Sequence, residues 1–218
     1  MNPENIGKSL KDLREDTIVY VAAELFLRVG IENVKMTDIA DRSEIGVASL
    51  YRYFGTMETL VVRAGALLWQ DLHTLFCSVY EAGDFHACPG LEQIVRLFGV
   101  YRRLFREQPD FIRFVGEFDD FVIRNRVETG QLREYERNVL NFYPVFLSSY
   151  ETGIRDGSVR RIGDPRLFYD AVCHAVMALT QKLLRGEILS ADGFSDSSEL
   201  DLLLDMAARY LCADIQEG

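Results

Sequence analysis

Apolar residues recur at helical spacing along nearly the whole chain, and the strict alternation of a half-buried strand is almost absent. The first stripe is Ile18, Ala22, Leu25, Phe26 and Val29, one face of a single helix, and Gly30 follows where a left-handed C-cap belongs. The connector IENVKM leads to a short second helix over TDIADR, with Ile39 and Ala40 turned inward. After the SEIG turn comes a third short helix, VASLYRYF. Gly55 and Thr56 then break the chain, and Thr56 serves as N-cap for a long fourth helix whose apolar face includes Leu60, Ala64, Leu68, Leu72, Phe76 and Val79.

Further on, GDFHACPG reads as a loop by its Gly, Asp and Pro content. Helices are expected over about 91–107 and 110–127. A long helix follows from Gly130 to about Asp156, kinked at Pro144. The loop DGSVRRIGDP precedes two final helices, about 166–188 and 199–213, separated by SADGFSDSS. The expected class is therefore all-α, with roughly nine helices and no sheet. It divides into a three-helix head over residues 1–60 and a helical bundle over 61–218.

Composition narrows the function. No apolar run reaches the roughly 20 residues a membrane-spanning helix needs, and the polar start MNPENIGKSLKDLRED is not a secretory signal. A cytoplasmic protein is expected. Cys77, Cys88, Cys173 and Cys212 form no CxxC pair and read as small buried hydrophobes. His73 and Cys77 share the i, i+4 spacing of a metal pair, but no third ligand is placed to complete a site, and no cofactor is expected. No nucleophile–base pair or phosphate-cradling loop is present, so an enzyme is not expected. Glu117, Asp119 and Asp120 crowd one region, either as a solvated face or to meet a cationic ligand.

The informative segment is 17–60. Two short helices joined by a tight turn form a helix-turn-helix when the second can enter the major groove of DNA. The turn lies about Ser43 to Ile45 and the second helix runs from Gly46 to Arg52. Val47, Ala48 and Ser49 are small enough to sit against base edges, with Ser49 offering a hydroxyl and its neighbours meeting a thymine methyl. Tyr51, Arg52 and Tyr53 suit phosphate oxygens. With Lys35, Thr37, Gly46 and Thr56 these make the candidate DNA-facing set.

The run AAELFLRVGIENVKMTDIADRSEIGVASLYRYFGTMETL resembles the DNA-binding domain of the TetR (tetracycline repressor-like) family. The likeness rests on Ala22-Ala23, Leu25-Phe26, Gly30, Ile39-Ala40, Leu50-Tyr51-Arg52-Tyr53-Phe54 and Leu60. Beyond residue 60 only the layout is similar: a variable domain of five or six helices, the last two of which usually form a dimer interface. The resemblance implies a ligand pocket in that domain, coupled to the heads through the fourth helix. Three positions depart from the family pattern. Glu44 replaces the usual glycine of the turn, Lys35 stands where Thr or Ser often starts the second helix, and Met57 replaces a phosphate-binding lysine.

Charge bears on the same point. The chain carries −10, and residues 1–63 hold eight Lys and Arg against ten Asp and Glu, leaving −8 on the rest. Because phosphate neutralisation supplies most non-specific affinity, such a head predicts weak or strongly salt-sensitive DNA binding. Lys8, Lys11 and Arg14 partly offset this as an N-terminal arm.

Residues 91–150 are dense in aromatics, and Trp69 on the fourth helix joins them. Rings fill a bundle core, and in such number they also wall a ligand cavity. The candidate effector site is Trp69, Phe98, Tyr101, Phe105, Phe114, Phe118, Phe142 and Phe146, for an apolar or aromatic molecule. The last two helices carry wide apolar stripes with alanines. Phe168, Val172, Ala175, Val176, Leu179, Leu203, Ala207 and Tyr210 are the candidate homodimer contacts, in a four-helix isologous interface. The expected function is a ligand-responsive transcription regulator, a repressor, gripping a near-palindromic double-stranded operator as a homodimer. The alternative is a helical protein-interaction module whose DNA-binding head has decayed.

Overall fold

The computed structural model describes residues 9–139, 142–185 and 197–213. Its α-helices are α1 (Leu10–Val29), α2 (Met36–Arg42), α3 (Val47–Phe54), α4 (Met57–Tyr80), α5 (Gly90–Glu107), α6 (Pro109–Asn125), α7 (Thr129–Asn138), α8 (Tyr143–Asp156), α9 (Pro165–Leu184) and α10 (Ser198–Leu211). Short 3₁₀ turns cover Ile31–Asn33 and Phe85–Ala87. Among the described residues the only extended pairing is an isolated bridge between Val159 and Cys212, so the all-α class holds. Two compact units divide the chain: residues 1–72 with 113–140, and 73–112 with 141–218. Lys8 of the expected arm, and most of the loop between the last two helices, lie outside the described residues.

In the first unit, α1 begins at a capping box in which Ser9 and Asp12 exchange backbone and side-chain hydrogen bonds of 3.2 and 3.0 Å. Ile18, Ala22, Leu25 and Phe26 are buried as the stripe predicts, whereas Val29 is exposed because α1 has reached its end there. Gly30 has a positive φ of 87° but a ψ of 151°, so it is an extended glycine corner and not the left-handed helical cap expected. Only glycine adopts that pair of angles readily. The Ile31 amide just beyond it donates to Glu117 Oε2 of α6 at 2.7 Å, and Arg124 of α6 pairs with Glu32 at 2.7 Å. A Cβ on Gly30 would lie 3.0 Å from that Glu117 oxygen. Glu117 is therefore no part of a solvated acidic face; it anchors the turn between α1 and α2.

The expected long helix from Gly130 to Asp156 is instead two. α7 ends with Val139 in extended conformation, and α8 restarts after Phe142. Pro144 sits in the first turn of α8, where its missing N–H has no intrahelical acceptor to lose, so it starts a helix rather than kinking one.

In the second unit α5 and α8 cross at backbone distance. A Cβ on Gly90 would fall 2.0 Å from Gly153 N, and one on Gly153 would fall 2.3 Å from a Val159 methyl. The segment after α8 ties several elements together. Asp156 accepts from the Gly90 amide at 2.8 Å and Ser158 Oγ from the Leu91 amide at 3.1 Å, which caps the exposed donors at the start of α5. Arg160 N–H donates to Leu211 O at 2.9 Å, and the Ala213 amide to Ser158 O at 3.1 Å, fastening the end of α10. The core between these helices holds Phe85, Ile94, Phe98, Phe146, Tyr150, Val176, Leu200 and Leu211.

Candidate nucleic-acid interface

The head is built so that two short helices are fixed from inside and bare outside. Met36, Ile39 and Ala40 of α2, and Leu50 and Phe54 of α3, are buried, which gives each helix an inward anchor about once per turn. Between them the chain turns through Ser43, whose amide reaches Ile39 O at 2.9 Å, and Ile45, whose amide reaches Ala40 O at 3.0 Å. Glu44 adopts φ 54°, the left-handed region. That explains the departure read in the sequence: the turn needs a residue at positive φ, and a glutamate is held there at a cost of roughly 1–2 kcal/mol.

The sequence-predicted DNA-facing residues lie together on this head. Lys35, Thr37, Gly46, Ala48, Tyr51, Arg52 and Thr56 are exposed, and Val47, Ser49 and Tyr53 are half-buried. Gly46 is the N-cap of α3, and a Cβ there would meet nothing within 4 Å. Arg52 leans back along α3, with Nη2 3.4 Å from Ser49 Oγ and its guanidinium 5.9 Å from the centre of the Tyr53 ring. These contacts are neutral, and no ion pair engages the arginine among the described residues. Thr56 Oγ1 accepts from the Thr59 amide at 3.3 Å, the cap expected at the start of α4. Lys11 lies 3.7 Å from Glu15, and Arg63 pairs with Glu15 at 2.9 Å while packing 5.2 Å from the Phe54 ring. Arg63 is thus engaged within the head. Sequence reasoning passed over Arg42, exposed at the end of α2 and without an ion pair among the described residues. Its place one residue before the turn was the available signal.

The rings named as an effector site fall into separate groups. In the first unit Phe114 and Phe118 are buried 5.9 Å apart and Phe118 stacks on Tyr135 at 4.0 Å, with Trp69 in the same unit. Burial pushes the Tyr135 phenol up to about 12. In the second unit Phe98 and Phe146 are buried 5.9 Å apart beside Phe168 and Tyr169, and Phe142 stacks on Phe76 at 4.8 Å. Phe105 is half-buried. Burial raises the Tyr101 phenol well above the usual range, and the nearby Cys173 thiol adds to the rise. Cys77 is buried as expected, with Sγ 3.2 Å from His73 Nδ1 and 2.9 Å from the Tyr80 hydroxyl, whereas Cys88, Cys173 and Cys212 are only half-buried.

The last two helices carry two apolar faces each. Val172, Val176 and Ala207, expected at a dimer contact, are buried in the chain's own core, and Phe168, Leu179 and Leu203 are half-buried. Ala175 and Tyr210 are exposed. With them stand Leu167 at 67%, Leu202 at 61% and Met206 at 58% exposed, which the sequence reading missed. The signal was the spacing Leu202, Met206, Tyr210, a second stripe hidden beside the stronger one of Leu200, Leu204, Ala207 and Leu211.

Residues 18–64 match the model of the family described as bacterial regulatory proteins, tetR family. No curated protein matches the chain. Among solved structures, a TetR-family transcriptional regulator from Mesorhizobium loti is 14% identical, with 93% of this chain and 96% of that one covered and a TM-score of 0.63. The fatty acid degradation regulator FadR from Bacillus halodurans is 14% identical over 96% and 98%, with a TM-score of 0.59. The ketosteroid transcriptional regulator KstR2 of Mycobacterium tuberculosis is 18% identical over 91% and 96%, with a TM-score of 0.54. At these identities the likeness is one of fold. No described helix is long and apolar enough to cross a membrane.

Proposed function

We propose that this chain, whose residues 18–64 match the tetR family of bacterial regulatory proteins and whose fold is similar to that of TetR-family regulators, is a member of that family and a cytoplasmic, ligand-responsive repressor. It grips a near-palindromic operator as a homodimer. The observation that carries the reading is the outward face of α3. Leu50 and Phe54 lock the helix from within, while Tyr51 and Arg52 project beside the small first turn Val47, Ala48 and Ser49. That is the shape of a recognition helix whose N-terminal turn meets base edges and whose later residues meet phosphates. Arg42 and Lys35 add cations on the same head.

The exposed set Leu167, Ala175, Leu202, Met206 and Tyr210 supports pairing through α9 and α10, because large apolar side chains on two adjacent helices call for a covering surface. A two-fold pair gives two recognition helices a fixed separation. The functional boundary near residue 60 follows from this division of labour. An apolar or aromatic effector is taken up among the rings beyond it; the likeness in fold to FadR, a fatty acid degradation regulator, and to KstR2, a ketosteroid transcriptional regulator, supports that class. The effector represses binding only in so far as it prefers the head separation that no longer matches successive grooves.

Selection of genomic fragments by the purified protein at low salt tests the reading. One near-palindromic site should be enriched. Arg52→Ala and Tyr51→Ala should each weaken it about tenfold or more, with the melting temperature unchanged because both side chains are exposed. No enrichment at low salt would sink the reading. Glu44, Met57 and the acidic balance would then favour the interaction-module alternative.

A further inference from the structure

One face of α8 runs from the edge of the core out to solvent. Leu147, Tyr150, Glu151, Ile154 and Arg155 follow the i, i+3, i+4, i+7, i+8 spacing of a single helical stripe, and with Arg161 and Pro165 they line a groove of about 460 Å³. Small-molecule sites span about 300–1,000 Å³. Leu147, Ile154 and Pro165 supply an apolar lining. None of the rings assigned to the effector region takes part, so this is a second place.

The polar groups of the groove are nearly all donors. Arg155 gives its hydrogens to Thr152 Oγ1 at 2.9 Å and to the Glu151 carbonyl at 3.4 Å, both neutral. Arg161 has no hydrogen bond or ion pair among the described residues. The Tyr150 hydroxyl accepts the Ile162 amide hydrogen at 2.9 Å and keeps its own proton to give. Arg155 and Arg161 thus bring two guanidinium groups, neither in an ion pair among the described residues, to one apolar groove on a chain of net charge −10. Guanidinium is also the side chain whose planar donor fork best fits a carboxylate.

We propose that the α8 groove binds a small organic monoanion, a carboxylate carried on an apolar body. Arg155, Arg161 and Tyr150 take the carboxylate, and Leu147, Ile154 and Pro165 take the body. Glu151, the one carboxylate on the groove, disfavours a second negative charge on the ligand and so selects monoanions over polyanions.

The site is tested on the full chain without DNA, so its failure is independent of operator binding. Phenylbutyrate and phenylbutanol are titrated separately while backbone amide shifts are followed by NMR. Phenylbutyrate should give saturable shifts at Ile154, Arg161 and Ile162, with phenylbutanol at least tenfold weaker. Arg161→Gln and Arg155→Gln should each weaken phenylbutyrate about fivefold or more at unchanged melting temperature, and Glu151→Gln should strengthen it. Equal affinity for acid and alcohol, no effect of either arginine change, or shifts confined to the ring clusters would overturn the assignment.

Discussion

The head formed by α2 and α3 and the crossing of α5 on α8 are assembled on opposite plans. The head uses few buried side chains per helix and leaves its outer face bare; Gly46 at the start of α3 has nothing within 4 Å of a would-be Cβ. The crossing leaves no space at all, since Gly90 and Gly153 bring two backbones together. The contrast shows what each region is for. A surface that must meet another molecule keeps open positions, while a scaffold closes them.

The sharpest way to break the contrast is to add one methyl group to each. Gly90→Ala places a Cβ 2.0 Å from backbone that cannot swing aside, and it should lower stability by about 3 kcal/mol or more in chemical denaturation. Gly46→Ala should cost less than about 1 kcal/mol, the difference between two N-cap residues. Comparable losses would show that the two regions are equally packed.

A middle-sized effect is expected at the anchor of the α1–α2 turn. Glu117→Ala strands the Ile31 amide and should cost about 1–2 kcal/mol, with faster hydrogen exchange at Ile31. Unchanged exchange there would show that the turn holds itself. A smaller effect of opposite sign should follow Glu44→Gly, which relieves the left-handed glutamate and should stabilise by about 1 kcal/mol in thermal melting. The same change removes a negative charge from the DNA-facing head.

Acid should separate the two units most gently. In the second, Asp156 is held below the usual carboxylate range by hydrogen bonds from Ser158 and the Gly90 amide, and Asp84 and Glu92 by hydrogen bonds from Arg96. Groups lowered on folding stabilise at neutral pH, and that contribution is lost as pH falls through their folded values. In the first unit, desolvation raises Asp71 and Asp119, so protonating them relieves a penalty as pH falls. Hydrogen exchange followed from pH 7 through about pH 4 and on towards about pH 2 should therefore show protection falling in the second unit relative to the first. A parallel change in both would refute the assignment.

Much of the head was legible in the sequence because its signals are local. The VASLYRYF helix, its Gly55 stop and the Thr56 cap depend on neighbours a few residues away, and the structure places all three as read. Proline was ambiguous for a physical reason: Pro144 is compatible with a kink and with a first helical turn, and only the extended Val139 before it decides. The outward stripe on α10 was masked because the helix is apolar on two sides, and periodicity does not say which side is covered. The Glu117 anchor, and Gly153 as a crossing point, were illegible because their partners lie far along the chain.

The segment 156–160 has a consequence for how this molecule would fail. Asp156 and Ser158 hold the start of α5, Val159 lies against Gly153 of α8, and Arg160 with Ser158 fastens the end of α10. Gly157 and Arg160 within it are exposed. One peptide bond cut there by a protease would release three helices at once, so a few surface residues set the lifetime of the whole second unit.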